Sequence, residues 1–471
     1  MLSILNMNKL NLKNIIFLFV VFFICILGYF LRHQNYATVP MAGESRDEYS
    51  FAWLGLSLIQ RGLPIATSGL ESYTHDWKYI NVDSIFHNFA NPNPFPVDSS
   101  WFDHPPLFSL IPGFYSYSQG VINFADTSLS IIRRPMLYLG AFNILLIIIF
   151  GTLIFNRQIG LIAGLIYASD PLIVISSRMV QAENLLLTIF LLAIIFYFLY
   201  HKTKKYYYFW TAISLSGLAT LVKLSGISVG LSLLFLSLIL ELKDKVKKSL
   251  VIIVGTGLIT LFFPIYGYLY NWKLFLNIFL VNSDRYFRDG LAGFYWLISK
   301  TNITRSFLDG WILLSWFSVF FLLIKLSKLK KLWYIIIPLL AYLLVYFVFG
   351  SEGYGWYKFP FYPFLFLSLS WVINHFYKKD NLFFSFFTLL LAGGVMINKF
   401  FSPEKLQHFM WLFRFSSLFL IVLILIPSFN LQRFPIKIYS RFLIWSLFFI
   451  CLAINIWVNF QIDLNTWYQI E

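Results

Sequence analysis

The chain has 471 residues, of which 59% are hydrophobic, 21% aromatic and 12% charged. A soluble domain carries roughly 25% charged residues, so this composition excludes an ordinary globular protein. The formal net charge of +15 would suggest nucleic acid as a partner of a soluble chain. Here the basic residues fall mostly in short loops between apolar runs, where orientation in a membrane accounts for them.

Apolar runs of about 20 residues recur along the whole length and predict an all-α polytopic membrane protein with about thirteen transmembrane helices. Lys9 and Lys13 precede the first run, Ile15 to Phe30, which is longer than a signal-peptide core and lacks a small-residue cleavage site. It reads as a retained first span, roughly 14–31, with the N-terminus inside. A loop of about a hundred residues follows, far longer than a usual connection, and its Trp, Tyr and Phe content is not that of a disordered segment. Its opening stretch, Glu48 to Arg61, alternates apolar and polar residues as a helix lying in the membrane interface would. Asn91-Pro92-Asn93-Pro94 marks a turn.

Spans are then predicted near 135–155, 159–176, 183–200, 207–222, 225–241 and 250–270, followed by a second outer loop from Asn271 to Asp309. Further spans fall near 310–325, 332–349, 359–377, 382–400, 410–426 and 442–460. The short loops at His201–Lys205, Lys243–Lys248, Lys325–Lys331, Lys378-Lys379 and Gln432–Arg441 are basic, and they alternate with loops that are not. That alternation places the basic set inside. Gly160–Gly164 and Gly226–Gly230 allow close helix approach. Cys25 and Cys451 lie inside apolar runs, so neither a disulfide framework nor a zinc site is expected. No Walker loop or GxGxxG pattern is present.

The ionisable residues outside the basic loops gather at the outer ends of spans: Asp47, Glu48, Asp103, His104, Asp170, Arg178, Glu183 and Lys223. An ion-coupled transporter would place carboxylates nearer the bilayer centre. Each residue has two readings. Asp47 caps the interface helix or takes a proton from an acceptor hydroxyl, and one carboxylate can do both. Asp103-His104-Pro105-Pro106-Leu107 is an ordered loop corner or sets His104 beside an anionic group. Arg178 and Glu183 are an interfacial arginine and a helix-start glutamate, or a phosphate contact and a second active-site carboxylate. Asp170-Pro171 reads as a kink with a partnered Asp. Lys223, Arg285, Arg288 and Lys358 are interface anchors or point charges facing a phosphate. Trp356 and Tyr357 suit an interface belt or sugar stacking.

In this order the motifs resemble a family. An acidic pair (Asp47-Glu48), a Pro-Pro-Leu loop (Asp103–Leu107) and an Arg-Pro entry to the second span (Arg134-Pro135) come first. An Arg…Glu turn (Arg178…Glu183), an Ala-x-x-x-Lys turn (Ala219…Lys223) and a Trp-Tyr-Lys entry to a late span (Trp356-Tyr357-Lys358) follow. Together they are similar to the membrane glycosyltransferases of the C-type fold, specifically glycosyltransferase family 39, which groups protein mannosyltransferases and aminoarabinose transferases. The likeness is closer over the first half than the second.

The resemblance implies sugar transfer from a polyprenyl-phosphate carrier to a glycan, lipid or protein acceptor on the outer face of the plasma membrane. Asp47 inherits the catalytic base, with Glu48 as its neighbour. Glu183 takes the second acidic position, where the family often has Asp, and Lys223 a basic position near the carrier phosphate. His104 stands where the aminoarabinose branch often has Lys, which weakens the likeness to that branch. A divalent metal between Asp47 and Glu183 is conceivable, although the ligand spacing does not call for one. The expected organisation is a first membrane module, 1–241, containing the outer loop 32–130, and a more variable second one, 242–471, containing the loop 271–309. No large soluble domain is expected, so acceptor contacts fall to the outer loops. The competing reading is a lipid or polysaccharide flippase or transporter.

Overall fold

The structure is a computed structural model. It describes residues 12–41, 44–45, 47–70, 72–73, 78–80, 95–97, 100–241, 244–283, 292–299, 309–326, 329–348, 354–378, 407, 410–425 and 436–463. The Asn91–Pro94 turn, Arg285, Arg288 and the span expected near 382–400 lie outside the described residues.

The fold is helical. In chain order the helices are α1 (Leu12–His33), α2 (Asp47–Arg61), α3 (Leu110–Ser118), α4 (Leu129–Ile132), α5 (Arg134–Ile154), α6 (Arg157–Ser169), α7 (Pro171–Ser176), α8 (Ala182–Thr203) and α9 (Tyr206–Val222). Then come α10 (Ile227–Leu240), α11 (Lys245–Thr260), α12 (Phe262–Ser283), α13 (Ala292–Ser299), α14 (Gly310–Lys325) and α15 (Trp333–Val348). The last three are α16 (Tyr362–Lys378), α17 (Met410–Leu425) and α18 (Ile436–Gln461). The first long loop also holds a two-stranded antiparallel ribbon, β1 (Lys78–Ile80) with β2 (Phe95–Val97), in which Tyr79 faces Pro96. Among the described residues, six stretches are long and apolar enough to cross a membrane: Leu12–His33, Leu129–Ile154, Ala182–Thr203, Lys245–Ser283, Lys330–Val348 and Arg441–Gln461.

Local chemistry sets the helix boundaries. The Asn156 side chain accepts from Ile159 N and starts α6. Asp170 ends α6 and caps α7 by accepting from Leu172 N and Ile173 N, with Pro171 at the first helical position. The expected span 159–176 is therefore broken at Asp170, as Asp-Pro suggested. The Asp170 carboxyl meets that of Asp309, which caps α14.

Two boundaries differ from expectation. The outer loop does not begin at Asn271, because helix continues to Ser283. Asn271 only kinks α12, and its side chain accepts from Leu274 N to restart the helix. The helix α2 is also not half-immersed in lipid. Every residue from Glu48 to Ser57 is buried in protein. It is roofed by α3, with Trp53 stacked on Phe124 and donating to Thr127 Oγ1 at 2.8 Å. Gly55 and Gly113 let the two backbones touch: a Cβ on Gly55 would lie 1.8 Å from the Ser109 carbonyl oxygen.

The loops sort by end of the bundle. At one end Arg157 donates to Asn14. Glu241 pairs there with Lys248 at 2.7 Å and lies 3.1 Å from His201. The lysine-rich turns gather at this end. The opposite end carries the close of α1, the starts of α2, α5, α8 and α16, and the α9–α10 turn.

Candidate active site

At the second end, the first long loop is pinned to the bundle by three buried arginines. Arg133 holds Glu48 with Nε–Oε2 at 2.7 Å and Nη2–Oε1 at 2.8 Å. It also donates to the carbonyls of Tyr36 and Pro40. Arg32 donates to Ser177 Oγ at 2.9 Å and to the carbonyls of Tyr167 and Ala168. Arg178 donates to the carbonyls of Leu31 and Val39.

Two expected roles change as a result. Glu48, expected beside Asp47 in the chemistry, points instead into the protein and anchors α2. Arg178, expected at a phosphate, is spent on the backbone of the loop that it fixes. Arg133 itself was overlooked in the sequence. Its only signal there is its place directly before Arg134-Pro135.

Asp47 opens α2 and is half-buried. Phe51, one helical turn on and therefore on the same face, stacks on the His104 ring at 5.4 Å. His104 thus lies along the Asp47 face of α2. Beside it, both Asp103 oxygens accept hydroxyls at 2.6 Å, one from Ser68 and one from Tyr73. The Tyr73 oxygen in turn accepts from Phe102 N. This network stiffens the Asp103–Leu107 corner. Ser68 and Tyr73 carried no recognisable signal in the sequence.

The second group forms where α8 starts. Glu183 is fully buried in the first turn of α8 and pairs with Lys223, which ends α9. The Lys223 ammonium lies 4.1 Å from the centre of the Tyr357 ring. Tyr357 and Lys358 sit in a 3-10 segment, Gly355–Phe361, held by Tyr342 donating to the Tyr357 carbonyl at 2.8 Å. Glu183, Lys223 and Tyr357 therefore come together, and Trp356 and buried Lys358 flank them. The stacking role changes, however. One face of Tyr357 is taken by Lys223, and Trp356 is only 4% exposed beneath Tyr354, its ring stacked at 4.6 Å. Tyr354, 40% exposed, presents the outward ring.

Two contacts join the groups. Gln181 Nε2 donates to Ser45 Oγ at 2.6 Å, linking the approach to Glu183 with the approach to Asp47. Leu107 N donates to the Leu221 carbonyl at 3.2 Å, linking the His104 corner with the Lys223 turn. Next to Leu107 an apolar cavity of about 930 Å³ opens between α3, α5 and α8, lined by residues that include Leu107, Ile111, Phe114, Tyr138, Phe142 and Leu185. Among the described residues no group of three or more His, Cys, Asp or Glu side chains is placed to hold a metal ion.

Residues 103–268 match the family model of dolichyl-phosphate-mannose-protein mannosyltransferases. That segment contains Asp103, His104, Glu183 and Lys223. No curated protein matches the chain by sequence. The fold is similar to that of ArnT from Cupriavidus metallidurans in its apo state, with a TM-score of 0.50, 14% identity, and coverage of 94% of this chain and 77% of that one. It is also similar to the archaeal oligosaccharyltransferase AglB from Archaeoglobus fulgidus, solved with an inhibitory peptide and a dolichol-phosphate. There the TM-score is 0.50 and the identity 12%, and the match covers 92% of this chain and 56% of that one. The chain has the C-type fold of membrane glycosyltransferases. It is a multi-pass membrane protein, and the segment that matches the family model runs from the Asp103 corner into α12.

Proposed function

We propose that this chain is a glycosyltransferase that moves a sugar from a polyprenyl-phosphate carrier to an acceptor hydroxyl on the extracytoplasmic face of the plasma membrane. The observation that carries the reading is the convergence of the Asp47–His104 face and the Glu183–Lys223–Tyr357 group at one end of the bundle, joined through Ser45 and Gln181. That end is opposite the lysine-rich turns, which favours a cytoplasmic N-terminus and an outward site. The relatives support a lipid-phosphate donor: the family model names a dolichyl-phosphate sugar, and the AglB structure holds a dolichol-phosphate.

In this mechanism the acceptor oxygen attacks the anomeric carbon while the bond from that carbon to the phosphate oxygen breaks. Asp47 takes the acceptor proton, a contribution of about 10²–10⁴ in rate for a well-placed base. The phosphate leaves with negative charge developing on it. Lys223, aimed by Glu183 and the Tyr357 ring, and His104, aimed by Phe51, meet that charge in a site with little water, where it counts most. Lys358, Arg285 and Arg288 are further candidate phosphate contacts. Attack opposite the leaving phosphate inverts the anomeric centre. The apolar cavity beside Leu107 receives the carrier's hydrocarbon, and its volume falls at the upper end of the usual range of about 300–1,000 Å³ for ligand pockets.

The test is turnover by the purified protein in lipid nanodiscs. The probe is a set of radiolabelled polyprenyl-phosphate sugars, with membrane glycolipids, glycans and peptides as acceptors. The expected result is transfer with an inverted anomeric linkage. Retention of configuration would remove Asp47 as a base acting in a single displacement. Movement of the intact carrier across the bilayer without transfer would make the chain a flippase.

A further inference from the structure

We infer that Gln181 is a positioning residue, holding Asp47 in register with the Glu183–Lys223 pair through its hydrogen bond to Ser45. This rests on the reading of Asp47 as the base.

The turn between α7 and α8, residues 177–181, touches α1 and the first loop at three points. Ser177 accepts from Arg32 at the end of α1. Arg178 grips the carbonyls of Leu31 and Val39. Gln181 donates to Ser45 at 2.6 Å. The first two contacts fix the exit from α1. The third is the one that reaches the approach to α2, because Ser45 stands two residues before Asp47 and Gln181 two residues before Glu183. All of these side chains are buried.

The turn itself is rigid. Gln181 N donates to the Met179 carbonyl at 2.9 Å, and the Gln181 carbonyl accepts from Asn184 N at 3.1 Å. The Asn184 side chain returns to the Met179 carbonyl at 2.9 Å. A base and a leaving-group clamp must hold their separation while the sugar passes between them, and a displacement near 1 Å costs about 10²-fold in rate. The Gln181–Ser45 bond is the short path that sets this separation. Behind it, Arg133 fixes Glu48, the next residue of α2, and among the described residues its other bonds go to the Tyr36 and Pro40 carbonyls.

The test compares Gln181→Ala, Ser45→Ala and the double variant in nanodiscs with a polyprenyl-phosphate sugar. Each single change is expected to lower kcat at least tenfold while KM for the donor stays within about twofold, and the double variant is expected to be no slower than the slower single one. Ser45→Thr keeps the acceptor oxygen and is expected to keep the rate. Losses that multiply in the double variant, or a rise in KM alone, would overturn the assignment.

Hydrogen exchange gives a readout that does not need turnover. In Gln181→Ala the amides at the start of α2 should exchange faster while those of α16 stay unchanged. Unaltered exchange at α2 would refute the positioning role even if the wild type transfers sugar. Faster exchange at α2 in Gln181→Ala, found together with a wild type that transfers no sugar, would uphold the contact and remove the proposed activity instead. Should Gln181→Ala elute as aggregate, Ser45→Ala, which removes one hydroxyl, carries both measurements.

Discussion

Replacing Glu48 by Gln changes one oxygen of a buried carboxylate to an amide and leaves the shape of α2 intact. The cost comes from the partner. Arg133 meets Glu48 through two nitrogens at 2.7 and 2.8 Å, and the two side chains are 0% and 2% exposed. With the carboxylate gone, the buried guanidinium loses its counter-charge and one of its two side-chain acceptors, keeping the amide oxygen and the Tyr36 and Pro40 carbonyls. Breaking such a pair from one side costs about 3–5 kcal/mol. That is roughly 10²- to 4 × 10³-fold in a folding equilibrium, since every 1.4 kcal/mol is tenfold.

A second change separates charge from contact. Arg133→Met in the Glu48→Met background removes both charges and fills similar volume, which often restores stability. Recovery here should be partial, because the Tyr36 and Pro40 carbonyls lose their donor. The assay is the half-life of monodisperse protein in detergent at a fixed temperature, read by size exclusion, with sugar transfer measured on the same samples. Glu48→Gln should lose both together, and the double methionine variant should regain both in part. A Glu48→Gln protein that keeps its half-life and loses only transfer would return Glu48 to the chemistry and refute the anchoring argument.

Other outcomes follow from the same geometry. Gly55→Val should separate α2 from α3 and abolish transfer, because the new side chain would meet the Ser109 carbonyl; tryptophan fluorescence from Trp53 would report the separation. Lys223→Met should lower kcat by about 10²-fold or more through the lost charge at the leaving phosphate. Adding Glu183→Leu should improve the yield of folded protein without restoring rate, since it removes the carboxylate left buried alone. Ile111→Trp, which fills the cavity beside Leu107, should raise KM for a long polyprenyl donor while sparing a short, water-soluble isoprenyl-phosphate sugar. Equal effects on both donors would place the carrier elsewhere.

The membrane class and helical fold were legible because lipid leaves the backbone no alternative to internal hydrogen bonds, and the apolar runs show where that applies. The break at Asp170-Pro171 was readable for a local reason: Asp caps and Pro starts a helix whatever surrounds them. Glu183 and Lys223 could be named as one group only through the resemblance, since forty residues separate them. Glu48 was misread because its partner Arg133 is 85 residues away and looks like an interface arginine. The α2 face was misread because amphipathic spacing says which side is apolar, not whether lipid or α3 covers it. Helix beyond Asn271 was missed because an asparagine amid aromatic residues reads as a loop, whereas here its side chain restarts the helix. Gln181 and Ser45 had no sequence signal, since a neutral pair leaves no charge pattern.

The central claim is that Asp47 accepts the acceptor's proton, and Asp47→Asn tests it with almost no change of shape. With polyprenyl-phosphate sugar and acceptor supplied to protein of wild-type monodispersity and half-life, the account predicts kcat reduced by about 10²–10⁴ and donor binding kept within a few fold. An Asp47→Asn protein that transfers sugar at the wild-type rate would contradict it.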